Sequence, residues 1–523
     1  MGLAAPRRLA ARLFPNDPGP YDTVRQGMLG SVLIMVGSWG VGWLPHVPES
    51  VLARSRLLLA VRVDLVGVVV CTVFLALGSM LLVRSWLRLG QQLDGRWTTH
   101  GVAARRAALR WAVPLLAALP IFSRDVFSYV QQGRMVAVGL DPYTTGVSAV
   151  PGWFMHGADS LWAESPSPYG PLFLWAAEGI WLVSDGRPEV STLLFRGIAV
   201  VGMAMCLWAV PRLARAAGRD PDRAVWLSIT NPLFLLYMIG AAHNDALMMG
   251  LMLAGFVLLV RPGRRRPQAL AGLVLICLSV AIKPLTILML PFAALLLPAG
   301  WAPWTTGRGM PVRARFGPWI TTAVLAVAVL AVLGQLSGLG FGWIAAMLTS
   351  GDAAFPYAPF GLIGLGVGAL VDLATALDAR TVAGWCYTAG TVCALAYTAY
   401  SGLRRHVSDP VWTSAAVLFV AVVVAPIIQP WYLVWLLPLV AACLPGRLEH
   451  PRWFGPVLAG SVLLLTGVGV VDQIAVFQWI PHVPVRLLAA AIVLACLAYI
   501  VWWDPHTSRV FRSSARPAPQ EVL

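Results

Sequence analysis

Charge is scarce in this 523-residue chain: Asp, Glu, Lys and Arg together make up 12% of it, and Lys283 is the only lysine. Hydrophobic residues reach 58% and mean hydropathy is +0.75, so the apolar runs are too long and too many for a soluble core. Metal-type cysteine spacing is missing as well. The seven cysteines all lie inside apolar runs and read as small buried hydrophobes; Cys386 and Cys393, two helical turns apart, lack the further ligands that a metal site needs. No glycine-rich phosphate loop or dinucleotide-binding unit occurs. The formal net charge of +15 comes from basic residues scattered at the ends of apolar runs instead of gathered on one polar face. That pattern speaks for membrane topology and against nucleic acid.

What is present reads as an all-α polytopic membrane protein, with about fourteen apolar runs near the ~20 residues that one bilayer crossing takes. Arg7, Arg8, Arg12 and Arg25 precede an apolar run with no cleavage site behind it, so 1–27 reads as a cytoplasmic tail ahead of a retained anchor. Arg84, Arg88, Arg96, Arg105, Arg106 and Arg110 mark the next cytoplasmic loop, and the run 107–122 then carries Ser123, Arg124 and Asp125 outward. Residues 123–190 must form one outer loop whose apolar pieces, Leu172 to Val183 among them, lie in the interface. A crossing there would put Arg212, Arg215, Arg219 and Arg223 outside. The runs 224–241 and 246–260 form a hairpin tipped by His243-Asn244-Asp245, and 268–282 with 285–299 a second, tipped by Lys283-Pro284. The stretch 335–380 stays outside so that Arg404 and Arg405 fall inside, and Gln429-Pro430-Trp431-Tyr432 comes out on the outer face. The transmembrane domain is thus 28–503, followed by a disordered cytoplasmic tail, 504–523.

Four polar constellations share that outer face: Asp125 with Arg134 and Asp141, His243-Asn244-Asp245, Lys283, and Gln429 to Tyr432. Ionisable groups near hydrocarbon cost a few kcal/mol each, so their convergence implies a polar cavity at the outer leaflet. Each also has a plain reading. Asp125 fits a helix cap or a partner for Arg124, His243-Asn244-Asp245 a polar hairpin tip, Lys283 a helix end, and Gln429 to Tyr432 an interfacial anchor. Asp125, His243 and Asp245 are candidate ligands for a divalent ion, although no spacing demands one and no other cofactor is implied.

Taken in order, DVFSYVQQGRMVAVGLDPY (125–143), SPSPYGPLF (165–173), NPLF (231–234), HND (243–245), the Lys283-Pro284 turn and QPWYLVWLLP (429–438) resemble the polyprenol-phosphate-mannose-dependent alpha-1,6-mannosyltransferases of actinobacterial envelopes. The resemblance covers nearly the whole chain. It implies a GT-C-like helical bundle in the plasma membrane with its site at the outer leaflet, a mannosyl phosphopolyprenol donor, and a mannan or lipoglycan acceptor. It casts Asp125 as the base, with Arg134, Lys283 and His243 toward the donor phosphate. Tyr129, Asp141, Tyr169, Asn244, Asp245, Gln429, Trp431 and Tyr432 then line the substrate. Another polyprenyl-phosphate sugar, such as arabinose, fits the same lipid phosphate, and a transporter or flippase would use similar polar residues as a path. Finally, the loops 123–190 and 335–380 are expected to face each other as a lateral gate. Trp153, Phe154, Trp162, Phe173, Trp175, Phe341, Trp343, Phe355 and Phe360 supply its apolar faces, and Gly361 to Gly368 room to move.

Overall fold

The structure, a computed structural model, describes residues 20–94, 103–261, 263, 265–297, 311–349, 358–375, 377–407, 409–443 and 453–511; Arg7, Arg8, Arg12, Arg96, Phe355 and residues 512–523 lie outside these. Among the described residues every regular element is helical and there is no strand, as a chain must be whose backbone satisfies its own hydrogen bonds in lipid. Five helices are long and apolar enough to cross a membrane: Leu65–Leu93, Pro188–Ala216, Val312–Leu336, Phe454–Asp472 and His482–Trp503. A sixth arises if Phe234–Gly240 and Asp245–Val260, bent by 112°, count as one span. The expected count of about fourteen is therefore not confirmed. Hydropathy registers apolar runs but not the breaks inside them. The run 224–241 is split into Pro221–Ser228 and a π-helix, Phe234–Gly240, and 285–299 into a 3-10 turn, Pro284–Met289, and Leu290–Ala294. Asn231-Pro232 falls in the first break, and Pro291 stands at the second.

Basic residues near helix ends are held in two separate groups. Trp86 and Trp226 stack, each indole N–H donating to the other's carbonyl oxygen, at 2.9 and 2.8 Å, which sets the Arg84 end of the Leu65–Asp94 helix beside the segment that follows Arg212 to Arg223. Arg84 also pairs with Asp504 at 2.6 Å and donates to Gln26 at 2.9 Å. Arg315 donates to the carbonyls of Gly402, Arg404 and Arg405, so the start of Val312–Leu336 and the end of Ala379–Leu403 lie together.

Two readings need correction. Residues 504–511 are no disordered tail: Asp504 is fully buried on Arg84, Gln91 donates to His506 O at 2.7 Å, and Ser508–Phe511 is helical. The stretch 335–380 is not surface loop throughout. Pro359–Ala374 is a helix of about 24 Å packed antiparallel on Ala379–Leu403, with Phe360 against Gly390. Its glycines are contact points and not hinges. A side chain on Gly364 would meet the Tyr387 ring, and one on Gly368 the Ala379 carbonyl, whereas Gly366 has open space. We expect Gly368→Ala to lower the unfolding midpoint in detergent, by an overpacking cost of about 1–3 kcal/mol, while Gly366→Ala leaves it unchanged. Equal effects of the two would restore the hinge reading.

Candidate active site

The helix Asp125–Ala137 begins after a tight corner in which Phe122 takes φ +65°, a strained value for a bulky side chain. Ser123 Oγ accepts the Asp125 N–H at 3.2 Å and starts the helix. Arg124 is spoken for: it pairs with Asp159 at 2.8 Å and lies 4.5 Å over the Trp43 ring. Asp125 is thus left in the first turn, where the helix dipole favours a carboxylate, with its side chain 12% exposed. Burial pushes its carboxyl up from the ordinary value of 3.8, while His243 and then Lys283 pull it back.

Across from it the chain reverses. Asn231 Oδ1 accepts the Leu233 N–H at 2.9 Å and bends the chain at Pro232; the π-helix Phe234–Gly240 follows, and Ala242 at φ +58° turns into His243-Asn244-Asp245. All three are buried, Asp245 in the first turn of Asp245–Val260. His243 Nδ1 stands 3.2 Å from Tyr129 Oη, 3.3 Å from Asp245 Oδ2 and 3.9 Å from Asp125 Oδ2. With a proton on Nδ1 facing two carboxylates, Nε2 is the ring nitrogen left for a ligand.

Lys283 ends the helix Arg266–Ile282 because Pro284 forbids continuation. Its ammonium donates to Asp245 Oδ1 at 2.7 Å and faces the rings of Trp435, Tyr169 and Tyr432 at 4.5, 5.5 and 5.8 Å. The 165–171 loop docks here through Gly170, whose N–H donates to Ile282 O at 3.0 Å and whose missing side chain lets it lie on the Ala281 carbonyl. Trp431 closes the group, its ring 4.4 Å from that of His243, and Tyr432 stacks on Trp435 at 3.9 Å. His243 Nε2, both amide atoms of Asn244, and the indole nitrogens of Trp431 and Trp435 are buried without a hydrogen-bond partner among the described residues.

Nine sequence candidates therefore converge: Asp125, Tyr129, Tyr169, His243, Asn244, Asp245, Lys283, Trp431 and Tyr432. Arg134 does not join them. Nine residues on from Asp125, it is roughly 14 Å further along the helix, where it donates to Pro151 O at 3.0 Å and lies 5.4 Å over Trp181. Asp141 also stands apart, its Oδ1 accepting the Tyr143 N–H at 2.9 Å to hold its own Asx turn. Gln429 is buried, and its carbonyl accepts the Tyr432 N–H at 2.9 Å. Phe173 and Trp343, expected on apolar loop faces, are buried instead, Phe173 beneath Tyr129 and Tyr169.

Residues the sequence reading missed are Trp435, Tyr237 and Arg196. Tyr237 packs on Trp431, His243 and Phe122. Arg196 carried a signal, a lone arginine inside an apolar run. The described residues contain no group of three or more His, Cys, Asp or Glu suited to a metal ion. Of the three candidate ligands, Asp245 already bonds Lys283 through Oδ1 at 2.7 Å, and its Oδ2 stands 3.3 Å from His243 Nδ1.

This helical bundle, with ionisable groups gathered at its helix breaks, is that of a multi-pass membrane protein. Residues 24–299 match the family described as alpha-(1→6)-mannopyranosyltransferase, N-terminal domain. A Mycolicibacterium smegmatis protein named as a probable alpha-(1→6)-mannopyranosyltransferase is 31% identical, over 95% of this chain and 91% of its own. An alpha-(1→6)-mannopyranosyltransferase of Mycobacterium tuberculosis is 30% identical, over 94% and 90%. Among solved structures, the Archaeoglobus fulgidus oligosaccharyltransferase aligns with a TM-score of 0.33 and 12% identity, over 84% of this chain and 60% of that one. The chain belongs to the alpha-(1→6)-mannopyranosyltransferase family.

Proposed function

We propose that the protein is an inverting, GT-C-type mannosyltransferase that moves mannose from polyprenyl phosphate to a mannan or lipoglycan acceptor, forming an alpha-1,6 linkage at the outer face of the plasma membrane. The observation that carries this reading is the Asp125 carboxylate, partly reachable and set opposite His243, Asp245 and Lys283. In the step proposed, the acceptor hydroxyl gives its proton to Asp125 as its oxygen attacks the anomeric carbon. The bond from that carbon to phosphate oxygen breaks, and polyprenyl phosphate leaves with the electron pair. One displacement inverts the anomer, so a beta-linked donor yields an alpha-mannoside.

Lys283, and His243 Nε2 when the ring carries a proton on both nitrogens, are the groups suited to the leaving phosphate, with Asp245 holding both. Burial keeps the Tyr129 and Tyr169 hydroxyls well above the usual phenol range, so they remain neutral donors. Asn244, Trp431 and Trp435, with unpaired polar atoms, suit sugar hydroxyls.

Since the base must be ionised and burial raises the Asp125 carboxyl, kcat/KM should rise with pH along an acid limb above 3.8, the ordinary aspartate value. A pH profile with a limb at or below that value removes Asp125 from the role.

A lateral opening is the other part of the proposal, because the polyprenyl tail stays in lipid while its phosphate reaches Asp125. The loops 123–190 and 335–380 meet at Tyr143 and Gly342: a side chain on Gly342 would start 3.0 Å from Tyr143 Cβ. A disulfide between Tyr143→Cys and Gly342→Cys should block transfer until reduced. Full activity in the oxidised pair leaves these loops as a static rim.

Purified protein in detergent, which has no compartment to cross, tests the reading. Labelled mannose should pass from mannosyl phosphopolyprenol to a short mannoside, and labelled arabinose far less readily from the arabinosyl lipid. Transfer that requires a nucleotide sugar, or no transfer without a sealed membrane, contradicts it.

A further inference from the structure

Arg196 lies in the third turn of Pro188–Ala216, a membrane-span candidate, and is 4% exposed. A guanidinium there is costly unless its donors are used, and no carboxylate pairs with it among the described residues. It is satisfied by backbone alone: Nη1 donates to Leu116 O at 2.9 Å, Nη2 to Gly240 O at 2.8 Å and Nε to Ile239 O at 3.3 Å. Leu116 follows the end of the Ala103–Leu115 helix, and Ile239 and Gly240 end the π-helix. These carbonyls are helix-end acceptors that a cation suits.

The two segments so joined are the ones that carry the site. Leu116 leads through the strained Phe122 corner to Asp125; Gly240 leads through Ala242 to His243, Asn244 and Asp245. We propose that Arg196 is a positioning residue whose planar fork fixes the separation between Asp125 and the His243-Asn244-Asp245 turn. That separation is 3.9 Å from Asp125 Oδ2 to His243 Nδ1. The inference rests on the catalytic reading of Asp125 given above. Lysine, a point charge without the fork, cannot meet three separated carbonyls in one plane.

The test compares Arg196→Gln and Arg196→Lys, both purified and corrected for folded fraction. Arg196→Gln should lower kcat by about tenfold or more with donor KM within about threefold, because misplacement of a base acts on the chemical step. Arg196→Lys should recover part of it. A second readout is the acid limb of kcat. The charged and titratable groups around Asp125 are His243, Lys283, Asp159 and Asp245, with the phenols of Tyr129, Tyr169 and Tyr432, and His243 is the strongest of those favouring its charged form. Drift of the turn weakens that help, so the limb should move to higher pH. Wild-type kcat with an unmoved limb overturns the proposal, as does failure of both variants to fold, which would make Arg196 a folding anchor only. Asp125→Asn, run alongside, separates the two claims: if it stays active the catalytic reading fails, and if it is inactive while Arg196→Gln is normal only the positioning role fails.

Discussion

Asp125→Asn is expected to reduce single-turnover transfer from a synthetic lipid donor by about 10²–10⁴-fold, the range of a positioned general base. The amide keeps the shape of the carboxyl but cannot take the acceptor's proton. Loss of fold is not the reason, and stability supplies the control. Burial raises the Asp125 carboxyl in the folded state, so the folded chain binds that proton more tightly than the unfolded chain does. Its stabilising contribution is complete below the unfolded value near 3.8 and is lost as pH rises through the raised folded value. At neutral pH the ionised Asp125 therefore costs stability, and Asp125→Asn should unfold at the same temperature as wild type or higher. That advantage should disappear below about pH 4. An inactive variant that is also less stable at neutral pH would make Asp125 structural.

The second large effect is at Lys283. Lys283→Met leaves the fully buried Asp245 without its 2.7 Å partner, and stranding a buried charge in this way costs about 3–5 kcal/mol. The unfolding midpoint in detergent should fall accordingly, and donor KM should rise far more than acceptor KM. Adding Asp245→Asn removes the stranded charge, so the double variant should regain most of the stability and none of the transfer. Stability and activity returning together would reduce the pair to a structural bridge. Equal weakening of donor and acceptor would separate Lys283 from the phosphate.

Much of the site was legible because polar triplets inside apolar runs are conspicuous, and arginine parity alone places His243-Asn244-Asp245, Lys283 and Gln429 to Tyr432 on the face of Asp125. What parity cannot supply is distance along a helix. Arg134 shares a motif with Asp125, yet its place nine residues on puts it over Trp181. Helix breaks were equally hidden, since a run such as 224–241 has the hydropathy of a span but holds Asn231-Pro232, and its second half is a π-helix of 7 residues. Arginine parity assigns Pro359–Ala374 to an outer loop so that Arg404 and Arg405 fall inside, and its glycines suggest room to move, whereas in a helix they mark where a neighbour comes close. Topology uses an arginine only for the side it marks, whereas the buried Arg196 reports on the carbonyls it holds.

The most direct measurement gives the purified protein a beta-linked mannosyl phosphopolyprenol as sole donor and a short mannoside as acceptor. The product of one turnover is then assigned by anomeric configuration and linkage. Base catalysis by Asp125 in a single displacement predicts an alpha-1,6-mannoside and free polyprenyl phosphate, with neither formed by Asp125→Asn. A beta-linked product, or an alpha product formed as fast by Asp125→Asn, would contradict it.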